Sequence, residues 1–189
     1  MRCVYYLQED LTMIKKMIEY IANLWYIIID NKGSDSMSNT VDVLDVAKTL
    51  ICKFNNAGKD ITQLKLQKLL YFIEAYYMAT YDKDKLYNED FYAWTYGPVC
   101  KEVYIKYKFF ADTPIYEQEC EKICEFNSNV VDSINDVYDL FGDLTSTQLI
   151  KLTHMKGSPW YELPIDFDTV ISKNNTKKWF KEVFLKNGN

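Results

Sequence analysis

The stretch that opens at Asp60 or Thr62 and runs to Ala79 constrains this chain more than any other. Leu66, Leu69, Leu70, Ile73, Tyr76, Tyr77 and Ala79 recur three or four residues apart, which puts them on one stripe of an α-helix, with Lys65, Gln67 and Lys68 elsewhere on the circumference. A long helix with such a stripe has to bury it, so this one is expected at the centre of the fold. Other amphipathic segments are available to cover it. Val43, Ala47, Leu50, Ile51 and Phe54 form the apolar face of a helix that Asn39 or Thr40 caps and that Asn55-Asn56-Ala57-Gly58 ends. Gly97-Pro98 reads as N-cap and first residue of another, with Val99, Val103, Tyr107 and Phe110 on one face. Ser128 caps a helix that turns Val131, Ile134, Val137, Tyr138 and Phe141 inward and stops at Gly142. Thr145-x-x-Gln148 is a capping box for the next, through Leu149, Ile150, Leu152 and Thr153. A final helix around 176–185 presents Phe180, Val183 and Phe184 on one side and Lys177, Lys178 and Lys181 around the rest.

Residues 87–96 and 113–117 are β-prone and lack a helical stripe, so short extended segments are expected there. The predicted fold is therefore mainly α: a compact single helical domain of about six helices over residues 38–186, with an N-terminal helical extension, 1–36. That extension keeps helical spacing through Leu7, Leu11, Ile14, Ile18, Ile21, Leu24, Trp25 and Ile28. Its most apolar part, Met17 to Ile29, carries Glu19 and Asn23 and is shorter than the roughly 20 residues a membrane span needs, so no membrane partner is expected. Met37, behind the polar breaker Asp30–Ser36, is an alternative start that would leave residues 1–36 out of the native protein.

Composition removes whole classes of chemistry. The 22 basic and 27 acidic side chains leave a net charge of -5, which disfavours a protein whose affinity comes from neutralising many phosphates. None of the six glycines belongs to a phosphate-cradling loop. The single histidine, His154, excludes a paired-histidine zinc helix and makes any nucleophile-histidine-acid arrangement depend on one ring. Cys3, Cys52, Cys100, Cys120 and Cys124 form an odd, scattered set without a secretory signal, the pattern of reduced thiols in a cytoplasmic protein. No metal site, no cofactor and no enzymatic activity are expected.

The residues with binding character are aromatic. Between positions 71 and 107 lie nine tyrosines, with Phe72, Phe91 and Trp94 among them. Tyrosine combines a large apolar face with a hydroxyl that tolerates water, so such rings serve either a core or a recognition surface. Lys65, Lys68, Lys101, Lys106 and Lys108 interleave with them, the make-up of a single-strand nucleic-acid groove, although no nucleic-acid motif accompanies them. Charge is also segregated: residues 116–143 carry a net of -7 and residues 173–186 a net of +4. An acidic flank either solubilises a helix face or steers a basic partner. His154, at a predicted helix end, is placed to cap carbonyls or pack.

Three motifs carry a resemblance: Lys65-Leu66-Gln67-Lys68-Leu69-Leu70-Tyr71, then Ala93-Trp94-Thr95-Tyr96-Gly97-Pro98-Val99, then Leu152-Thr153-His154 ahead of Ser158-Pro159-Trp160. Over residues 40–172 the chain resembles the Panacea-domain family, which includes SocA-like antitoxins and phage-associated proteins of the GepA type. The resemblance implies a type II antitoxin, a cytoplasmic protein that binds and neutralises a cognate toxin encoded by an adjacent gene. It also implies one alternative, an adaptor that delivers a toxin to a AAA+ protease; a second alternative, outside the resemblance, is a nucleic-acid-binding autoregulator that would use the lysines at 177, 178 and 181. Within the motifs, Leu66, Leu69, Leu70, Gly97, Pro98 and Trp160 are expected to build the scaffold. Lys68, Tyr71, Trp94, Tyr96 and His154 are the candidates for touching a partner.

Overall fold

A computed structural model describes residues 40–118, 120 and 125–185. The expected N-terminal extension, the alternative start at Met37 and the cap at Asn39 lie outside the described residues. Six α-helices and one small hairpin follow in chain order: α1 (Val43–Asn56), α2 (Gln63–Thr80), β1 (Phe91–Trp94), β2 (Gly97–Cys100), α3 (Lys101–Tyr107), α4 (Ser128–Phe141), α5 (Ser146–Thr153) and α6 (Lys173–Phe180). A 3-10 turn (Lys108–Phe110) extends α3, and a π-helical turn (Lys181–Leu185) extends α6. The mainly helical expectation holds.

Helix α2 is the axis of the molecule, with α1, α3, α4, α5, α6 and β2 all packed against it. Every residue from Leu66 to Ala79 is buried, so α2 is enclosed on its whole circumference. This corrects the placement of Gln67 and Lys68 off the buried stripe: both are fully inside, Gln67 bonded to the Cys100 backbone and Lys68 to the Pro98 carbonyl. The covering rings are dense. Phe72 stacks on Phe141 with centroids 4.8 Å apart and lies edge-on to Phe184, while Tyr71 meets Phe91 edge-on at 5.4 Å.

Local signals set most helix ends. Thr62 caps α2, and the capping box at Thr145 and Gln148 opens α5 with both reciprocal bonds formed. Two caps shift by a few positions because a better-placed carboxamide or carboxylate is present. Asp42 rather than Thr40 accepts from the Leu44 N–H, and Asn127 rather than Ser128 accepts from Val130. On α4 it is Val130 that is buried, while Val131 is 41% exposed.

The largest correction falls at Gly97-Pro98. These residues do not start a helix; they begin β2, which pairs antiparallel with β1 in the register Phe91–Cys100, Ala93–Pro98 and Trp94–Gly97. Helix α3 starts only at Lys101. The strand expected within 87–96 is β1, joined on its other edge by residues 166–171 through the bonds Ala93 N to Thr169 O at 2.9 Å and Ile171 N to Phe91 O at 2.8 Å. The segment expected at 113–117 is reduced to one bridge, Thr62 with Pro114. The cysteines are corrected as well. Cys52 and Cys120 form a disulfide, and Cys100 is a buried free thiol. No helix among the described residues is long and apolar enough to cross a membrane.

Candidate functional site

The three sequence motifs meet in space. Lys68 comes from the second turn of α2, Gly97 and Pro98 from the start of β2, Thr153 and His154 from the end of α5, and Ser158 and Trp160 from the turn that follows. Lys68 is fully buried and donates to the Pro98 carbonyl at 2.7 Å. Gly97 has φ +95°, and a Cβ there would stand 2.7 Å from the Thr153 hydroxyl and 3.0 Å from Lys68 Cε. Glycine is therefore required both by the backbone and by the space. The Trp160 indole N–H donates to the Trp94 carbonyl at 2.8 Å, and Ser158 donates its hydroxyl to the Thr153 carbonyl at 2.6 Å.

His154 lies flat on Trp160, with centroids 3.5 Å apart and planes 5° from parallel. As the C-cap residue of α5 it bonds through its backbone N–H, while its ring makes no carbonyl cap: Nε2 is buried and has no hydrogen-bond partner. Burial, and secondarily the neighbouring Lys68, push its pKa down to about 4, so the ring is neutral at pH 7. Burial likewise brings Lys68 down to about 7. Two basic groups in an enclosed, low-dielectric corner share a reluctance to be charged.

Beside this cluster lies a recess of about 400 Å³, lined by Gln63, Leu64, Gln67, Trp94, Thr95, Tyr96, Val99, Tyr104, Ile165, Asp166 and Phe167. Trp94 links the two regions. Its carbonyl receives Trp160 inside, and its ring stands edge-on to both Tyr104 and Phe167 with centroids 4.9 Å apart in each case. Its indole N–H donates to the Phe167 carbonyl at 3.3 Å, which anchors the 165–168 loop to the hairpin. Tyr96 is 64% exposed and Phe167 70% exposed, large apolar areas for rings that flank one cavity.

The candidate partner-contacting residues thus separate. Trp94 and Tyr96 line the recess; Lys68 and His154 sit behind it; Tyr71 lies in the core, 2% exposed, with its hydroxyl 3.1 Å from that of Thr176. Of the expected scaffold residues, Leu66, Leu69 and Leu70 are fully buried. Sequence reasoning missed Tyr104 as a specific candidate, and it missed Ile165, Asp166 and Phe167 altogether. The available signal was an apolar pair, Ile165 and Phe167, set among carboxylates just after Pro164, where no core helix needs them.

Three of the five interleaved lysines are engaged within the fold rather than free to line a nucleic-acid groove. Lys68 is internal, Lys65 donates to the Gly142 carbonyl at 2.6 Å, and Lys101 pairs with Asp168 at 2.8 Å. Part of the acidic flank is also used internally, since Asp136 accepts from the Tyr76 hydroxyl at 2.5 Å and Asp143 pairs with Lys59 at 2.6 Å. Among the described residues no group of three His, Cys, Asp or Glu side chains is placed to hold a metal.

The class that this geometry defines is a mainly helical domain whose internal motifs lock together beside an aromatic recess. The family described as Antitoxin SocA-like, Panacea domain, matches residues 66–161, just over half of the chain, and the chain belongs to that family. The matched span contains the recess-forming hairpin, α5 and Trp160. The chain is also 29% identical over 132 residues to Antitoxin SocA of Caulobacter vibrioides (strain NA1000 / CB15N), an alignment covering 64% of this chain and 69% of that protein. No solved structure matches.

Proposed function

We propose that this chain is the antitoxin of a type II toxin–antitoxin pair and that it neutralises a protein toxin, encoded by an adjacent gene, by binding it directly and occluding its working surface. The observation that carries this reading is the ring-lined recess, where Trp94, Tyr96, Tyr104 and Phe167 stand at the surface of an otherwise tightly packed helical scaffold. Exposed tyrosine, tryptophan and phenylalanine beside a cavity are the residue types that dominate binding energy at protein interfaces. Membership of a SocA-like antitoxin family agrees with a toxin as the bound protein.

Co-expression with the product of the neighbouring gene tests the proposal. The neighbour alone is expected to stop growth, and this chain is expected to restore it and to co-purify with the toxin. Replacing Tyr96 and Phe167 together by alanine is expected to weaken the complex by at least about 100-fold, equivalent to roughly 3 kcal/mol, with the free chain still fully folded by circular dichroism at the assay temperature. A harmless neighbour, or a toxin still active beside the wild-type chain, overturns the reading. Toxin that persists at full level while neutralised supports occlusion, whereas toxin that disappears places the chain among protease adaptors.

A further inference from the structure

The aromatic recess contains a carboxylate that the fold leaves without a cation. Asp166 is the only acidic or basic side chain in its lining, and among the described residues no lysine or arginine forms an ion pair with it. Its neighbour Asp168 is in the opposite situation, paired with Lys101 at 2.8 Å, and that ammonium also lies 3.8 Å from the centre of the Tyr92 ring. Asp166 is held in place by its own backbone: its N–H donates to the Ala93 carbonyl at 3.1 Å, and its side chain accepts from the Asp168 N–H at 2.9 Å. The surrounding rings are steeply inclined to Trp94, Tyr104 by 68° and Phe167 by 76°, so they form a box rather than a flat plate.

The negative faces of aromatic rings attract cations, and an adjacent carboxylate adds a direct charge partner. A purely apolar group entering this box would remove water from Asp166 and leave it unpaired, which is unfavourable. Guanidinium suits the site better than ammonium, because it is planar, weakly hydrated, stacks on rings and reaches a carboxylate through two parallel N–H donors. Resting on the reading of this chain as a direct binder of a protein toxin, we propose that the recess is a socket for an arginine side chain of that toxin. The guanidinium enters among Trp94, Tyr104 and Phe167 and pairs with Asp166.

The test uses the full-length chain and small probes, followed by ¹H–¹⁵N NMR at the Trp94 indole N–H, which already contacts the Phe167 carbonyl. N-acetyl-arginine amide is expected to shift this signal saturably. N-acetyl-citrulline amide, of the same shape without the charge, and N-acetyl-leucine amide are expected to bind at least about tenfold more weakly. Asp166→Asn keeps an oxygen for the Asp168 N–H, so the loop is retained, and it is expected to remove the preference for arginine over citrulline. Absence of a saturable shift, equal response to citrulline or leucine, or an Asp166→Asn variant that still prefers arginine overturns the socket. The two proposals fail separately. A chain that binds arginine amide as described yet does not neutralise its neighbour keeps the socket and removes the antitoxin reading. A chain that neutralises while ignoring the probe does the reverse.

Discussion

Lys68 sits where a lysine is least comfortable, enclosed on all sides with a backbone carbonyl as its hydrogen-bond acceptor. The unfolded chain holds that proton up to its ordinary pKa of 10.5, and the folded chain releases it near 7. Between those values the unfolded state binds more protons, so stability rises with pH; below 7 both states are protonated and the contribution is flat. Unfolding by urea at pH 7, 8 and 9 is expected to show a gain of about 2 kcal/mol across that interval, and Lys68→Met is expected to flatten it. Methionine fills the space without charge, while the Pro98 carbonyl it leaves unpaired offsets part of the benefit. His154 acts in the same direction on the acid side, since its folded pKa is also depressed. Its folded pKa of about 4 lies under the ordinary 6.5, so stability falls as pH drops through that window. Helical spacing placed Lys68 off the apolar stripe, and nothing local in the sequence signals its burial. Only the strand that crosses above it, thirty residues later in the chain, does so.

At the scale of elements, the hairpin decides the site. Gly-Pro is a sound helix start on local grounds, yet here Gly97 takes φ +95° and Pro98 joins an antiparallel pair. The pairing with β1, the close approach to Thr153 and the bond from Lys68 together outweigh the local preference. Gly97→Ala is expected to lower stability by about 2–4 kcal/mol, since it meets both backbone strain and the Thr153 hydroxyl. Gly58→Ala is the control: its φ of +66° is also positive, but nothing lies within 4 Å of the added carbon. Its cost is expected near 1 kcal/mol, and the difference between the two variants in chemical denaturation measures the contact with Thr153 together with the extra strain of φ +95° over +66°. If they cost the same, Gly97 is there for its dihedral and not for the contact.

At the scale of the molecule, one covalent link spans distant parts of the chain. The Cys52–Cys120 disulfide joins residues 68 positions apart, tying the segment after Pro114 to α1. The same segment is held by the Ile115 N–H on the Ile61 carbonyl at 2.9 Å and by Asn55, which donates to Ile115 and accepts from Glu117. Closing a loop of that length restricts the unfolded chain, so reductant is expected to lower stability by about 2–4 kcal/mol, and Cys52→Ser is expected to abolish the sensitivity to reductant. Thermal melting with and without reductant, on both proteins, reads this directly. Scattered cysteine spacing gave no reason to pair these two, because what brings them together is the folded path between them.

By itself, the sequence determined what depends on residues a few positions apart: the helical periods, the capping box at Thr145, the cap at Thr62, the apolar cores of α1 and α2, and the three motifs whose members turn out to be neighbours. Those features follow from one turn of backbone geometry and from whether an apolar stripe needs cover. The tertiary structure alone decided that Gln67 and Lys68 are inside, that Gly97-Pro98 is strand, that Cys52 finds Cys120, and that the loop carrying Asp166 and Phe167 closes onto Trp94. Each of these is a contact between residues tens of positions apart, and its sign is set by burial and packing that no local propensity encodes.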